Sequence, residues 1–320
     1  MSTANEVPQT WELSGDDAWE TLRTTGRMKL AGDAFRRFRA SDGTSHARSL
    51  AFLTSLLLVQ GVIALVAIGS MLKTGTFTTF ISNTLRSIAP GPAGKVFSQA
   101  VAQAHQAGNS NNAGPVLIGL AISLTITAAS LMGQVERGLN RIYGIEQDRP
   151  TPQKYGRALV LAVSAGLLVI GAFVAIAAGN SVGSSLVGHT AASAWNVIRW
   201  PLGLVFAAVG IALMFKWSPR RHQPGWSWLA FGSVVAVALW MIFTVALGLY
   251  LSNSSSFGET YGPVAGVVAL LLWSFLTAFS LLYGGAMAAQ LEAVRAGRPA
   301  PKATIRVPDA ERDPVVVRSA

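Results

Sequence analysis

The sequence contains no cysteine and few charged residues. The absence of cysteine from all 320 residues excludes disulfides, thiolate metal sites and a cysteine nucleophile. Charged residues make up 12% of the chain, whereas a soluble domain carries about a quarter. Hydrophobic residues make up 51%, and long stretches between the charges hold none. This composition is typical of a protein that spans a membrane.

Few residues are available for catalysis or for binding a cofactor. The histidines lie in separate segments, at His46, His105, His189 and His222, and none belongs to an HExxH or similar metal-binding pattern. No phosphate-binding GxxxxGK[ST] loop is present. The carboxylates of the basic loops stand beside arginines, as solvated ion pairs do. We therefore expect neither an enzyme nor a bound cofactor or metal.

The apolar stretches predict an all-α, polytopic membrane protein with six transmembrane helices. A helix of about 20 residues crosses the hydrocarbon of a bilayer, and each stretch is long enough to do so. The predicted spans are Leu50–Leu72, Pro115–Gly133, Ala158–Ala178, Val197–Phe215, Trp228–Tyr250 and Pro263–Gln290. Polar residues within them, such as Ser55, Gln60 and Ser274, fit either helix–helix hydrogen bonds or a polar path for a solute.

Basic residues predict the orientation. The N-terminal segment, the loops after the second and fourth spans, and the C-terminal tail carry most of them, and the other side has Lys73, Arg86, Lys95 and Arg199. The positive-inside rule then places both termini in the cytoplasm. The formal net charge of +10 indicates contact with anionic lipid headgroups at the cytoplasmic face. We expect no nucleic acid partner.

The chain divides into three predicted regions. Residues 1–49 form a cytoplasmic segment with an amphipathic helix, in which Leu30, Ala34, Phe35 and Phe38 lie opposite Arg36, Arg37 and Arg39. That helix either lies on the membrane surface or packs against the bundle. Residues 50–291 form the six-helix domain, and the Pro-rich, polar residues 292–320 are predicted to be a disordered cytoplasmic tail.

Two polar strings interrupt the apolar pattern. QVERGLNRIYGIEQDRP, residues 134–150, crowds charges between two apolar spans, and its arginines stand where the positive-inside rule requires them. Glu136 and Asn140 share one helical face, as do Arg137 and Arg141. The second string, YLSNSSSFGETYGPVAGVVALLLW, covers residues 250–273 and leads into the last span.

Together these strings resemble the two signatures of the BrkB/YihY family of bacterial inner-membrane proteins. The resemblance extends over about residues 33–292, and DGTSHARSLAF at 42–52 is similar to the YhjD branch. It implies a multi-pass plasma-membrane protein linked to envelope integrity and to lipid or glycolipid export. The signature positions, as substrate or helix contacts, are Asn140, Tyr143, Arg149, Asn253, Tyr261 and Gly262.

The end of the last span departs from the family pattern. Members commonly read GAELNAxLE, whereas this chain reads GGAMAAQLE at residues 284–292. Ala286 and Ala288 therefore replace the usual glutamate and asparagine, while Gln290 and Glu292 remain.

Two functions stay open on the sequence. One is a transporter or flippase for an envelope lipid or amphiphile. The other is a non-transporting scaffold that docks envelope-assembly proteins on its basic face. The ribonuclease label once attached to the family is disfavoured, because the sequence lacks metal-site chemistry.

Overall fold

The computed structural model describes residues 4, 6–10, 12–71, 92–108, 113–177, 189–254, 257, 260–298 and 300–301. Within these residues the secondary structure is helical. The helices are α1 (Gly15–Thr25), α2 (Arg27–Ala40), α3 (Gly43–Met71), α4 (Ala93–Gly108), α5 (Ala113–Ile142), α6 (Thr151–Ala177), α7 (His189–Trp217), α8 (Trp226–Asn253) and α9 (Ala265–Arg295), with a 3₁₀ turn at Gly262–Val264 before α9.

Six of these helices, α3 and α5 to α9, are long and apolar enough to cross a membrane. This confirms the predicted number and order of the spans. At one end the helices continue further than their apolar stretches: α3 begins at Gly43, α5 runs on to Ile142 and α9 to Arg295. The extra turns are polar in sequence but helical, because their side chains find partners on neighbouring elements. The tail predicted to be disordered covers residues 292–320, but residues 292–295 form the end of α9, and residues 302–320 lie outside the described part of the chain.

The membrane helices form a ring in chain order. Each of α3, α5, α6, α7, α8 and α9 packs against the next, and α9 returns to pack against α3. One end, called the basic end below, carries α1, α2, the loops at 143–150 and 218–225, and residues 292–298. The other, called the far end, carries α4 and the segment between α8 and α9. The prediction that the basic end faces the cytoplasm remains a prediction.

Apolar packing differs between the two ends. At the basic end one continuous cluster of buried side chains draws residues from all six membrane helices and from α1 and α2. At the far end the described cluster comes from α3, α4, α8, α9 and Phe257. The described far halves of α5, α6 and α7 contribute nothing to it. Among the described residues, the basic end is therefore the end at which all six membrane helices share one core.

Helices α8 and α9 cross at backbone contact. Gly232 and Gly284 face each other, and a Cβ atom at position 284 would lie 2.5 Å from the Gly232 carbonyl oxygen. Small residues allow such an approach, and close packing is a main source of helix association in a bilayer. Interhelical hydrogen bonds add to it: Ser55 Oγ lies 2.9 Å from Ser274 Oγ. These contacts favour the helix–helix interpretation of the intramembrane polar residues.

We predict that Gly284→Ala destabilises the protein, because the added methyl group would overlap the α8 backbone. Overpacking of this kind costs about 1–3 kcal/mol. The matched control is Gly61→Ala in α3, where no atom lies within 4 Å of the added carbon and helix propensity improves. Thermal unfolding in detergent measures both. Equal melting temperatures for Gly284→Ala and wild type would contradict the close crossing.

Candidate functional site

Asn140 links three segments at the basic end. Its side chain is 0% exposed. Its Nδ2 donates to Asp148 Oδ1 at 3.0 Å, and its Oδ1 accepts the backbone N–H of Arg220 at 2.8 Å. The amide therefore ties the end of α5 to the loop that follows it and to the loop between α7 and α8. A hydrophobic residue of the same size would break both connections.

Arg149 closes the end of α7. Its Nη1 and Nη2 donate to the carbonyl oxygens of Ser218 and Pro219, both at 2.7 Å. Its Nη1 also lies 3.2 Å from Glu136 Oε1. Burial lowers the pKa of Arg149 and the Glu136 carboxylate raises it. The guanidinium therefore ties the loop after α5 to the first residues that follow α7.

Asp148 forms ion pairs with basic side chains on both sides of its loop. It accepts from Lys154 Nζ at 3.0 Å and from Arg137 Nε at 3.2 Å. Its partial burial by itself raises the pKa of the carboxyl group. The hydrogen bonds from Asn140 and Lys154 outweigh that effect and lower the pKa to about 2. Asp148 is therefore an anion at every physiological pH.

Tyr143 packs beneath a guanidinium group. Its ring is buried, and the Arg221 Cζ atom lies 4.5 Å from the ring centroid, in cation–π geometry. Burial raises the pKa of the phenol, so it stays neutral. The Tyr143 carbonyl accepts the backbone N–H of Val7 at 3.1 Å. Asn140, Tyr143 and Arg149 thus come together, as parts of one buried network.

Two buried arginines extend this network to α9, and sequence reasoning missed their role. Arg221 Nη2 donates to Glu292 Oε1, and both side chains are almost completely buried. Arg37 Nε donates to Gln290 Oε1 at 2.8 Å, and its Nη1 donates to the Ile142 carbonyl at 3.2 Å. Burial lowers the pKa of Arg37 to about 10, which still leaves it cationic at neutral pH.

Arg37 was assigned to the polar side of its helix, and that assignment was wrong. The side chain is 0% exposed. Position 37 follows Leu30 by seven residues and Ala34 by three, so it belongs to the stripe that faces the bundle. The spacing could have identified it, but the neighbouring arginines on both sides made a solvated face the simpler interpretation.

The N-terminal residues form a strap across the basic end, defined as residues 7–10 and 12–15. Val7 contacts Tyr143 as described above. Thr10 Oγ1 donates a hydrogen bond to Glu292 Oε1, and the Pro8 carbonyl accepts one from Arg221 Nη2 at 3.0 Å. The Gly225 N–H donates to the Leu13 carbonyl at 3.2 Å. The strap thereby joins the ends of α5 and α9 to the start of α8.

The remaining signature positions lie at the far end. Asn253 Nδ2 donates to the Leu249 carbonyl of its own helix at 2.8 Å. Tyr261 packs on Phe257, with ring centroids 4.8 Å apart. Gly262 has a φ of 47° at the turn into α9, a conformation that glycine adopts without strain. These contacts are local, so the signature residues form two groups at opposite ends of the molecule.

Ala286 and Ala288 are fully buried in the α9 interface. A Cβ atom on Gly232 would lie 2.9 Å from the Ala288 Cβ atom, which shows how closely α8 approaches this position. An asparagine at 288 would force the two helices apart. The departures from the family pattern therefore accompany tight packing of α8 on α9.

The charged groups of the network are bound to one another and hold several segments together. Its carboxylates are engaged by arginine or lysine. Across the described residues, no three His, Asp or Glu side chains group as ligands for a metal ion. This charged, buried network, called the seal below, joins α2, α5, α9 and two loops.

We predict that Glu292→Gln strongly destabilises the protein, because it leaves the buried Arg221 without its carboxylate. Removing one partner of a buried ion pair costs about 3–5 kcal/mol. The control is Glu20→Gln, which breaks the exposed pair with Arg295 and is expected to change stability by less than about 1 kcal/mol. The loss of stability in each variant is measured by thermal unfolding in detergent. Similar losses in the two would contradict a buried pair.

We predict a pH-dependent difference between wild type and Asp148→Asn. The folded-state pKa is depressed from the ordinary 3.8 to about 2, so the carboxylate stabilises the fold above about pH 4 and stops doing so as pH falls through 2. Wild type is expected to melt higher at pH 6, and the gap is expected to close between about pH 4 and 2. A gap that is constant with pH would show that Asp148 has no ionic role.

Comparison with known proteins agrees with the fold. A family model described as "Virulence factor BrkB" matches residues 34–306. The chain is 23% identical over 269 residues to "Putative ribonuclease-like protein YfkH" of Bacillus subtilis (strain 168), covering 82% of this chain and 95% of that protein. It is 27% identical over 271 residues to a "UPF0761 membrane protein" of Stenotrophomonas maltophilia (strain R551-3), covering 81% of this chain and 58% of that protein.

A further "UPF0761 membrane protein", azo3165 of Azoarcus sp. (strain BH72), is 28% identical over 280 residues, covering 83% of this chain and 63% of that protein. The chain thus spans less than two thirds of the length of these longer relatives. No solved structure matches the chain. The helices and the bacterial relatives make this a multi-pass bacterial membrane protein, and the match over residues 34–306 means that the chain belongs to the BrkB family.

Proposed function

We propose that this protein moves an amphiphile, a molecule with a polar head and an apolar tail, across the bacterial plasma membrane. The observation that carries the proposal is the contrast between the two ends: all six membrane helices share one core at the basic end, whereas among the described residues of the far end α5, α6 and α7 add no side chain to the common cluster. A carrier that exposes its binding site to one side at a time has this asymmetry in each of its states. The structure then corresponds to the state closed at the basic end.

Helix α5 shows the contrast most clearly. Toward the basic end Leu139, Asn140 and Ile142 are completely buried. Toward the far end Ile118 is 64% exposed and Ile122 56% exposed, and residues 114–126 pack through one narrow stripe. A helix enclosed between two neighbours along its whole length would bury more of its surface. The far half of α5 is therefore held by its neighbours through a small part of its surface.

The chemistry of this region favours an amphiphile over an ion. The polar contact between the far halves of α3 and α5 is neutral, with Gln60 Nε2 donating to Ser123 Oγ at 3.1 Å. Isoleucine and valine side chains supply most of the remaining exposed surface. Neutral hydrogen-bonding groups among aliphatic side chains suit an acyl or polyprenyl tail with a hydroxylated or esterified head.

For transport, the basic end has to open in another state. The contacts that hold α5 against α3 and α9 must then separate, and the seal described above is what resists this. A Cβ atom on Gly138 would lie 3.6 Å from the His46 Cβ atom, across the α3–α5 contact. This distance suits a disulfide. Because the chain has no cysteine, a bond engineered there would form without competing thiols.

We predict that a disulfide in the His46→Cys/Gly138→Cys variant slows the movement of lipid between leaflets by at least about tenfold relative to wild type. The measurement uses liposomes made from lipid extracted from the bacterial envelope. A reductant is expected to restore the rate. The matched control is Leu168→Cys/Gly210→Cys, where the corresponding distance between α6 and α7 is 3.5 Å. These helices pack along each other, so their link is expected to leave transport unchanged. The rates come from quenching of labelled lipid in the outer leaflet.

Two results would contradict the proposal. Transport by the oxidised His46→Cys/Gly138→Cys protein at the wild-type rate would show that the basic end does not open. No movement of any extracted lipid by wild type, together with an unchanged leaflet distribution in a deletion strain, would favour the scaffold alternative. A stable protein partner captured by crosslinking in cells would then be expected.

A further inference from the structure

Helix α2 presents an outward face that the bundle does not cover. Met28 is 87% exposed and Phe35 is 43% exposed, and both lie on the side opposite the buried Leu30, Ala34 and Phe38. The prediction that Phe35 shares the buried face was therefore wrong. Lys29, Arg36 and Arg39 flank these two side chains on the same outward half of the helix. Apolar side chains flanked by basic ones characterise helices that lie in the surface of an anionic membrane.

The depth of α2 is fixed by its contacts with α9. Phe38 packs edge-on against Phe279, with ring centroids 4.8 Å apart, and the Tyr283 hydroxyl donates to the Ala31 carbonyl at 3.0 Å. If the hydrocarbon begins where α9 begins, at Ala265, about 20 residues cross it. Phe279 and Tyr283 then lie in the last turns before the headgroups. Helix α2 is therefore held at the height of the lipid interface.

The charges of the outward face are available to lipid. Arg36 is paired with Asp33. For Lys29 and Arg39, no carboxylate lies within ion-pair distance in the part of the chain that the structure describes. Arg27 stands over the exposed Trp19 ring of α1, with its Cζ atom 5.9 Å from the ring centroid. The face thus combines uncompensated cations with apolar side chains that reach into the membrane.

We propose that α2 is a binding surface for anionic phospholipid in the leaflet at the basic end. Met28 and Phe35 insert among the upper acyl carbons, while Lys29 and Arg39 bind the phosphate groups of the lipids around them. The opposite face of the same helix carries Arg37, which contacts Gln290 and the Ile142 carbonyl. Binding of anionic lipid thereby fixes the helix that holds one side of the buried network.

The test uses a single fluorescent label at Met28→Cys in nanodiscs that contain equal amounts of phosphatidylglycerol and phosphatidylcholine. Bromine, which quenches the label on contact, is carried by one lipid or by the other. We expect quenching by both, with brominated phosphatidylglycerol more effective by about fivefold, the effect of one cation near an anionic surface. A label at Gln147→Cys in the 143–150 loop is the position control, and iodide in water is expected to quench it instead.

Charge variants separate the two parts of the proposal. Lys29→Gln/Arg39→Gln is expected to abolish the preference for phosphatidylglycerol while lipid quenching persists. Arg157→Gln/Arg298→Gln removes two exposed cations elsewhere on the basic end and is expected to retain the preference. Equal quenching by the two brominated lipids in the wild-type background, or quenching of the Met28→Cys label by iodide alone, would overturn the proposal.

Discussion

The architecture depends on the buried ion pair between Arg221 and Glu292. Moving a guanidinium and a carboxylate out of water is costly, and their mutual attraction together with further contacts offsets that cost. Here the carboxylate also accepts from Thr10 of the strap, and the guanidinium covers the Tyr143 ring. The pair thus couples the strap, the end of α5, the loop before α8 and the end of α9, so none of these can move alone.

The two ends differ in how many of the described elements their contacts join. At the basic end, charged side chains bridge elements whose apolar faces already form one core. At the far end, the described core joins α3, α4, α8 and α9, and the hydrogen bonds of Asn253 and the ring contact of Tyr261 remain local. Tight α8–α9 packing at Gly232 and Gly284 provides a rigid wall.

The membrane fold could be predicted from the sequence because it depends on the average hydropathy of long segments rather than on single residues. Six apolar stretches give six helices, and hydrocarbon tolerates little else. Asn140, Tyr143 and Arg149 were identified by their motif, but their partners were not. Glu136, Arg220 and Arg221 are distant in sequence from the groups that they contact, and topology alone accounted for their charges. Arg37 was misassigned because the neighbouring arginines concealed its place on the buried stripe.

The most direct test of the account measures the two ends of the ring with pairs of spin labels in nanodiscs. One pair, Gln147→Cys/Arg298→Cys, reports on the basic end, and the other, Val116→Cys/Val264→Cys, reports on the far end. In the wild-type background we expect one narrow distance at the basic end. When Glu292→Gln is added, the basic-end distance is expected to lengthen and broaden while the far-end distance shortens. An unchanged, narrow basic-end distance in folded Glu292→Gln protein would contradict the claim that the buried pair keeps this end closed.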